Sequence, residues 1–363
     1  MSADTVRVAT FNAALSREHA GQLVQELRLG GTPQTRAVAE IIQRVRPDIL
    51  LVNEIDHDPR GLSTTLFAAH LRTGRRGATG IDYPHLFTAP VNTGVLAPVD
   101  LDGDGRLALP GDGFGYGRHP GHYGMAVFSR FPIADVRTFQ HVLWRSMPDH
   151  LMPPGFFSPE AEAVLRLSSK SHWDVAVEID GVALHLLASH PTPPVFDGPE
   201  DRNGRRNADE LRFWIDYIDG RGWMTDDAGR TGASGGGAFV ILGDLNADPE
   251  GGERRMEGIG ALLGHPMVQD PRPMSTGAAD APNRDPAHRG DPALATASWR
   301  LGPGPGTLRV DYVLPSADLT VADAGVFWPA EGERHRRLVG DGARIASSDH
   351  RLVWVDIAWP PAP

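Results

Sequence analysis

The 363-residue chain contains no cysteine. That excludes disulfides and thiolate metal sites, and it suits a reducing or an oxidising compartment alike. Lysine is nearly absent as well: Lys170 stands alone, and every other basic residue is arginine. No run of about 18 apolar residues occurs, so nothing in the sequence reads as a membrane span. The N-terminus has no basic region followed by an apolar stretch, so an export leader is expected to be absent or already removed. The eight tryptophans are scattered, and no stripe interleaves basic with aromatic side chains as a base-stacking platform would. What the chain does have is acid. Lys and Arg number 35 against 46 Asp and Glu, a formal charge of −11. Such a field repels a polyanion such as duplex DNA unless a local basic stripe overrides it. With 40% hydrophobic residues and no internal repeat, one large α/β domain over residues 1–363 is expected rather than two small ones.

The local patterns agree with that class. Val6–Asn12 is apolar and β-prone, a buried first strand. Thr32 and Pro33 then open a helix as cap and first turn, with Val38, Ile41, Ile42 and Val45 at helical spacing and a stop before Pro47. Asp48–Asn53 returns to strand and ends at Glu54, so the opening unit is strand, helix, strand. Met125–Ser129 is another strand. Trp173–Ile179 and Val182–Ser189 flank Asp180-Gly181, a strong hairpin signal that makes one sheet antiparallel in part. Residues 207–218 read as an amphipathic helix, 226–237 as a Gly-rich loop and Ala238–Leu242 as a strand. Leu308–Leu314 and Arg351–Ala358 are the last two strands. Segments near 88–122, 140–170 and 271–297 read as loop insertions.

Chemistry-bearing residues fall where strands end. Asn12 closes the first strand, Glu54 the second and His190 a hairpin strand. Asp244 and Asn246 follow the strand before Gly243-Asp244-Leu245-Asn246. Asp311 sits inside a strand, where a carboxylate is costly unless paired. Asp349 and His350 precede the last strand. In α/β sheets the carboxyl ends of strands gather at one crevice, where ligands bind. Carboxylate, Asn and water oxygens suit Mg²⁺ or Mn²⁺, hard ions that keep positions open for phosphate. Each fragment alone is better explained as turn chemistry or a cap.

Taken together they are specific. VATFNAAL, DILLVNEID, YGMAVFSRFPI, LHLLASH, VILGDLNADP, RVDYVLPS and SSDHRLVWVDI, in that order across residues 6–358, resemble the endonuclease/exonuclease/phosphatase superfamily of metal-dependent phosphoesterases. The resemblance implies a four-layer α/β sandwich of two packed mixed sheets flanked by helices. It implies that Glu54 is the principal metal ligand, aided by Asn12 and Asp349. Asp244 would orient or deprotonate the attacking water and Asn246 would hold a phosphate oxygen. His350 would contact phosphate with Asp311 fixing its tautomer, and His190 would be the general acid for the leaving alkoxide. Tyr123 is a candidate phosphate contact. Met125 stands where many relatives carry a polar residue, so that strand is expected to offer no polar substrate contact.

Other features lie outside the resemblance. Asp100, Asp102 and Asp104 in Asp-x-Asp-x-Asp-Gly follow the first half of an EF-type loop, a candidate structural Ca²⁺ site, although Gly111 and not Glu occupies the twelfth position. Arg206, with Arg202 and Arg205, is a candidate for a substrate's further anionic group, set against ordinary surface charge at a helix entry. His119 and His122 read as loop residues. The expected substrate is a small phosphodiester or phosphomonoester, a lipid headgroup included, with DNA or RNA as the alternative. An inactive binding module is disfavoured by the complete set of site residues. A monomer with a slight extracytoplasmic leaning completes the expectation.

Overall fold

The computed structural model describes residues 5–233, 236–251, 257–302, 304–340 and 345–359. In chain order its strands begin with β1 (Thr5–Leu15), β2 (Ile49–Ile55), β3 (His85–Phe87), β4 (Met125–Ser129), β5 (Ile133–Thr138) and β6 (His172–Ile179). They continue with β7 (Val182–Ser189), β8 (Phe239–Asp244), β9 (Ala297–Ser298), β10 (Thr307–Leu308), β11 (Asp311–Pro315), β12 (Val321–Val326) and β13 (Val353–Ala358). The helices are α1 (Gln22–Arg28), α2 (Pro33–Val45), α3 (Leu62–Arg72), α4 (Pro159–Val164), α5 (Arg202–Ile218), α6 (Ile259–Leu263) and α7 (Thr276–Ala279).

Six strands form one sheet in the order β12-β13-β1-β2-β4-β3, and five form a second in the order β11-β8-β7-β6-β5. Both are mixed: β1 runs parallel to β2 and β7 to β8, while β13 and β11 pair antiparallel. Side chains alternate along each strand, and the alternation assigns the layers. Val6, Val8, Ile49, Leu51 and Val127 of the first sheet meet Val175, Leu184, Leu186, Val240, Leu242 and Val313 of the second in one inter-sheet core. The intervening Ala9, Phe11, Leu50, Val52 and Phe128 pack on Leu23, Ile42, Phe67 and Leu71 of the first three helices. On the far side Leu187, Ile241 and Leu314 pack on Leu211, Trp214, Tyr217 and Ile259. Helices, sheet, sheet, helices make the four layers. Strands buried on both faces read as continuous apolar runs, which is why the central ones were visible in the sequence.

Local signals behave as their chemistry requires. Thr32 Oγ1 accepts from Thr35 N at 3.1 Å, Pro33 opens α2, and Arg46 ends it in the left-handed region before Pro47. Asp180 (φ 52°) and Gly181 (φ 82°) supply the two positive φ angles of a tight hairpin turn. The helix read at 207–218 begins earlier, at Arg202, because its polar first turn hides the start of the apolar face. The strand read at 308–314 is two pieces: Thr307–Leu308 pairs with β9, and only Asp311–Pro315 joins the large sheet.

Gly243 fixes how closely β7 and β8 approach. Its φ is 143°, and a Cβ there would stand 2.0 Å from the Ser189 carbonyl oxygen. Gly243→Ala is expected to destabilise by on the order of 3 kcal/mol and to displace the neighbouring Asp244, lowering turnover as well. Thermal melting and a turnover assay check it, and an alanine variant that melts and turns over like wild type refutes it.

Candidate active site

The apolar alternation that builds the inter-sheet core turns polar at one end without changing phase. On β1 it runs Val6, Val8, Thr10, Asn12, and on β2 Ile49, Leu51, Asn53. After Leu184, Leu186 and Ala188 it reaches His190, after Val240 and Leu242 it reaches Asp244, and on β11 Val313 is preceded by Asp311. Register sets Asn12 beside Asn53 and Asp244 beside Asp311. All five polar residues at the chemistry-bearing positions, Asn12, Asn53, His190, Asp244 and Asp311, are buried. The site is thus the polar mouth of the core between the sheets.

Glu54 breaks the phase. Strict alternation would send it toward the helices with Leu50 and Val52. Instead its φ is 59°, next to a register shift between β1 and β2, and its Oε1 accepts from Asn12 Nδ2 at 3.1 Å. Ser16 Oγ holds the Glu54 carbonyl at 3.1 Å and receives the Tyr123 amide at 3.2 Å. This non-glycine residue in a rare backbone region is a signal that functional sites often carry.

Hydrogen bonds knit the rest. Asn12 Nδ2 also donates to Asp244 Oδ2 at 3.0 Å, and Asp244 Oδ1 accepts from Asn246 N at 3.0 Å. His350 Nδ1 faces Asp311 Oδ2 at 3.0 Å, while its Nε2 stands 3.6 Å from Asp244 Oδ2. His190 Nε2 stands 3.4 Å from the same oxygen. Ser348 Oγ donates to Asn12 O at 2.7 Å and receives His350 N, tying the last loop to β1. Asp349 Oδ2 accepts Trp299 Nε1 at 2.7 Å, and Trp299 meets His350 edge-on at 5.2 Å.

The electrostatics separate the two histidines. Burial opposes charge on His350, yet the carboxylates of Asp311 and Asp244 override it and hold its pKa well above the ordinary value. Burial, with Lys170 and His350 nearby, keeps His190 well below. The surroundings thus favour the cationic form of His350 and the neutral form of His190. Burial, and then Asp349, pushes the Glu54 carboxyl up, and burial raises that of Asp244 to about 6 against the pull of His350. Carboxylates gathered this closely out of water repel one another, and a divalent cation relieves that. Glu54, Asp349 and Asn12 offer the oxygen donors that a hard divalent cation takes, so the residues fit such an ion.

The remaining sequence candidates are placed as follows. Tyr123 is half-buried in a left-handed backbone conformation, and burial, then Glu54, raises its phenol pKa. His119 and His122 do lie in a loop, yet both are buried, in a group with Asp56, and the His122 ring stacks on Tyr123 at 3.8 Å. Arg206, expected as a substrate contact or as surface charge, is half-buried, and its guanidinium donates to the backbone carbonyls of Leu167, Phe114 and Arg166, clasping two insertions together. In the acidic loop, Asp100, Asp102 and Asp112 bring carboxylate oxygens within 4.8 Å of one another. Asp104 lies outside this group, exposed and accepting from Arg106 N, so the buried Asp112 takes the place expected of it. Sequence reading missed Lys170 as a site neighbour; its rarity was the available signal.

Hydrolysis of a phosphoric ester, assisted by a metal, is the chemistry that this fold and donor set define. Residues 9–350 match the model of the Endonuclease/Exonuclease/phosphatase family, and the chain belongs to that family of metal-dependent phosphoesterases. Solved structures share the fold. The endonuclease/exonuclease/phosphatase from Beutenbergia cavernae is 19% identical with a TM-score of 0.52, covering 98% of this chain and 72% of its own. A family protein from Leptotrichia buccalis is 14% identical at a TM-score of 0.50, covering 97% and 99%. The human Nocturnin catalytic domain with bound sulfate anion is 15% identical at a TM-score of 0.50, covering 98% and 94%. No curated protein matches the sequence. No helix among the described residues is long and apolar enough to cross a membrane.

Proposed function

We propose that the chain hydrolyses a phosphodiester or phosphomonoester of a small molecule or lipid headgroup, using Mg²⁺ or Mn²⁺. The observation that carries this is the buried cluster at the mouth of the inter-sheet core, where Asp244 touches Asn12 and faces both His190 and His350. When bound by Glu54, Asp349 and Asn12, the cation would neutralise their charge and polarise a phosphoryl oxygen. Asp244, fixed by Asn12 and the Asn246 amide, aligns the attacking water and takes its proton. Asn246 Nδ2, now 3.0 Å from the Pro191 carbonyl, is placed to turn to a phosphate oxygen. His350, kept cationic by Asp311, offsets charge developing on the phosphoryl group and holds a proton for the leaving oxygen. His190, whose Nε2 stands 3.4 Å from Asp244 Oδ2, remains the candidate general acid that the resemblance implies, with His350 as a second.

Arginines around the site favour a small substrate. Arg206 is spent on backbone carbonyls, Arg351 on the carbonyls of Ser348 and His350, and Arg309 on Asp270. These three are not free to track a nucleic-acid backbone, whose binding needs several phosphate contacts. Turnover of bis-p-nitrophenyl phosphate with and without EDTA tests the chemistry, and a panel of phosphomonoesters, diesters, phospholipid vesicles and plasmid DNA tests the substrate. Metal-dependent release from small esters with intact plasmid is expected. Efficient plasmid nicking would move the assignment to nuclease, and no metal-dependent turnover on any arm would reject it.

The loop at Asp100, Asp102 and Asp112 is proposed to hold Ca²⁺ for stability, a setting that favours an extracytoplasmic location where calcium is abundant. Calcium at 100-fold excess over its Kd stabilises by about 2.7 kcal/mol through mass action. The melting temperature should therefore rise with Ca²⁺ in wild type and not in Asp102→Ala, with turnover in saturating Mg²⁺ unchanged. Equal calcium shifts in the two proteins rule out the loop.

A further inference from the structure

Lys170, the chain's lone lysine, is only 6% exposed. Its Nζ donates to the Pro191 carbonyl at a long 3.5 Å. An ammonium carries three donors; burial lowers the pKa of Lys170, and the carboxylates of Glu210, Glu54 and Asp244 oppose that through space and not by hydrogen bonds. Glu210 is engaged elsewhere: its Oε1 takes Ser169 N at 2.7 Å and its Oε2 takes Thr192 N at 2.6 Å. The Pro191 carbonyl also receives Asn246 Nδ2, so the lysine head and the Asn246 amide share one acceptor just past His190. After burial, Lys170 is among the groups that disfavour a proton on His190.

Taking a cation out of water is costly unless it is paired and hydrogen-bonded. Here the pairing is incomplete in the resting protein, at the carbonyl that Asn246 also uses and within electrostatic reach of Glu54 and Asp244. An arginine fork would need more partners than this niche offers, whereas a compact ammonium is a point charge. We propose that Lys170 binds a non-bridging oxygen of the scissile phosphoryl group beside Asn246 and offsets the charge that develops there during hydrolysis. This rests on the phosphoesterase reading of the site and not on the choice of substrate.

A charge retained for function is a liability to the resting fold, and a charge retained for structure is an asset. Lys170→Met keeps the length and removes the charge. With saturating Mg²⁺ on bis-p-nitrophenyl phosphate it should lose about 10²–10³-fold in kcat, as loss of one charge-stabilising donor does. The Ki for inorganic phosphate should weaken by about tenfold or more, since a charged partner is lost. The metal concentration for half-maximal rate should stay within about twofold, because Glu54 and Asp349 are untouched. The melting temperature should equal or exceed that of wild type. Ethylammonium should restore part of the rate of Lys170→Ala and none of Lys170→Met. The proposal is overturned by a Lys170→Met enzyme with near-wild-type kcat and phosphate Ki. It is equally overturned if Lys170→Met and Lys170→Gln both melt far lower, which would make Lys170 a structural partner of Glu210. A wild type without metal-dependent turnover would overturn the phosphoesterase reading as well, and only that result touches both.

Discussion

Asp244→Asn is expected to fold, to melt at or above the wild-type temperature, and to turn over a phosphodiester about 10²–10⁴-fold more slowly, the usual contribution of a general base. Both halves follow from the same surroundings. Asp244 is 1% exposed, and burial together with Asp311 raises its carboxyl pKa, so its negative charge is held at a cost to the metal-free fold. An amide of the same shape removes that cost and can still bond the Asn246 amide through its oxygen. It cannot take a proton from water, and it no longer attracts the His350 cation 3.6 Å away. Its one oxygen can serve only one of the two donors that the carboxylate accepts, Asn12 Nδ2 and Asn246 N, whereas alanine serves neither and is the poorer probe. Melting curves and steady-state kinetics on the same preparation decide the matter. A folded asparagine variant with near-normal kcat would remove Asp244 from the mechanism.

Much of this arrangement was legible before the structure. The inter-sheet strands are apolar on both faces, so their runs stood out, and each ended in a polar residue: Asn12, Glu54, His190 and Asp244. What the sequence could not convey was phase. Asn12, Asn53, His190, Asp244 and Asp311 fall on the inner face by simple alternation, but Glu54 reaches the same pocket only through a positive φ that no propensity encodes. The edge strand Val321–Val326, half-exposed and rich in small residues, had no strong signal to give. The same holds for Leu62–Arg72, which is capped by a glycine without a side-chain bond. Arg206 looked like surface charge because a helix entry is normally exposed. Only the folding of two insertions over α5 engages its guanidinium. Asp112 escaped notice because it lies one residue beyond the twelfth position of the loop pattern, where local spacing no longer dictates geometry.

Glu54→Gln is expected to weaken Mg²⁺ or Mn²⁺ binding by at least about tenfold, with the rate partly restored by excess metal, because the ion loses an anionic oxygen ligand. Burial, then Asp349, disfavours charge on Glu54 in the metal-free protein, and Asp244 adds to this. Glutamine can still accept Asn12 Nδ2 through its amide oxygen, so the geometry at the end of β2 should persist. The metal-free variant should therefore melt no lower than wild type, while the rise in melting temperature on adding Mg²⁺ or Mn²⁺ should shrink. That opposition separates a ligand from a structural acid, whose loss would lower both melting temperatures together. Titration is best done with Ca²⁺ already saturating, so that the loop at Asp100, Asp102 and Asp112 does not contribute to the heat of binding. Calorimetry showing unchanged affinity for Mg²⁺ and Mn²⁺ would take Glu54 out of the metal site. The cation would then have to be held by Asp349 with other donors of the mouth, and the unusual backbone at Glu54 would have a purely structural cause.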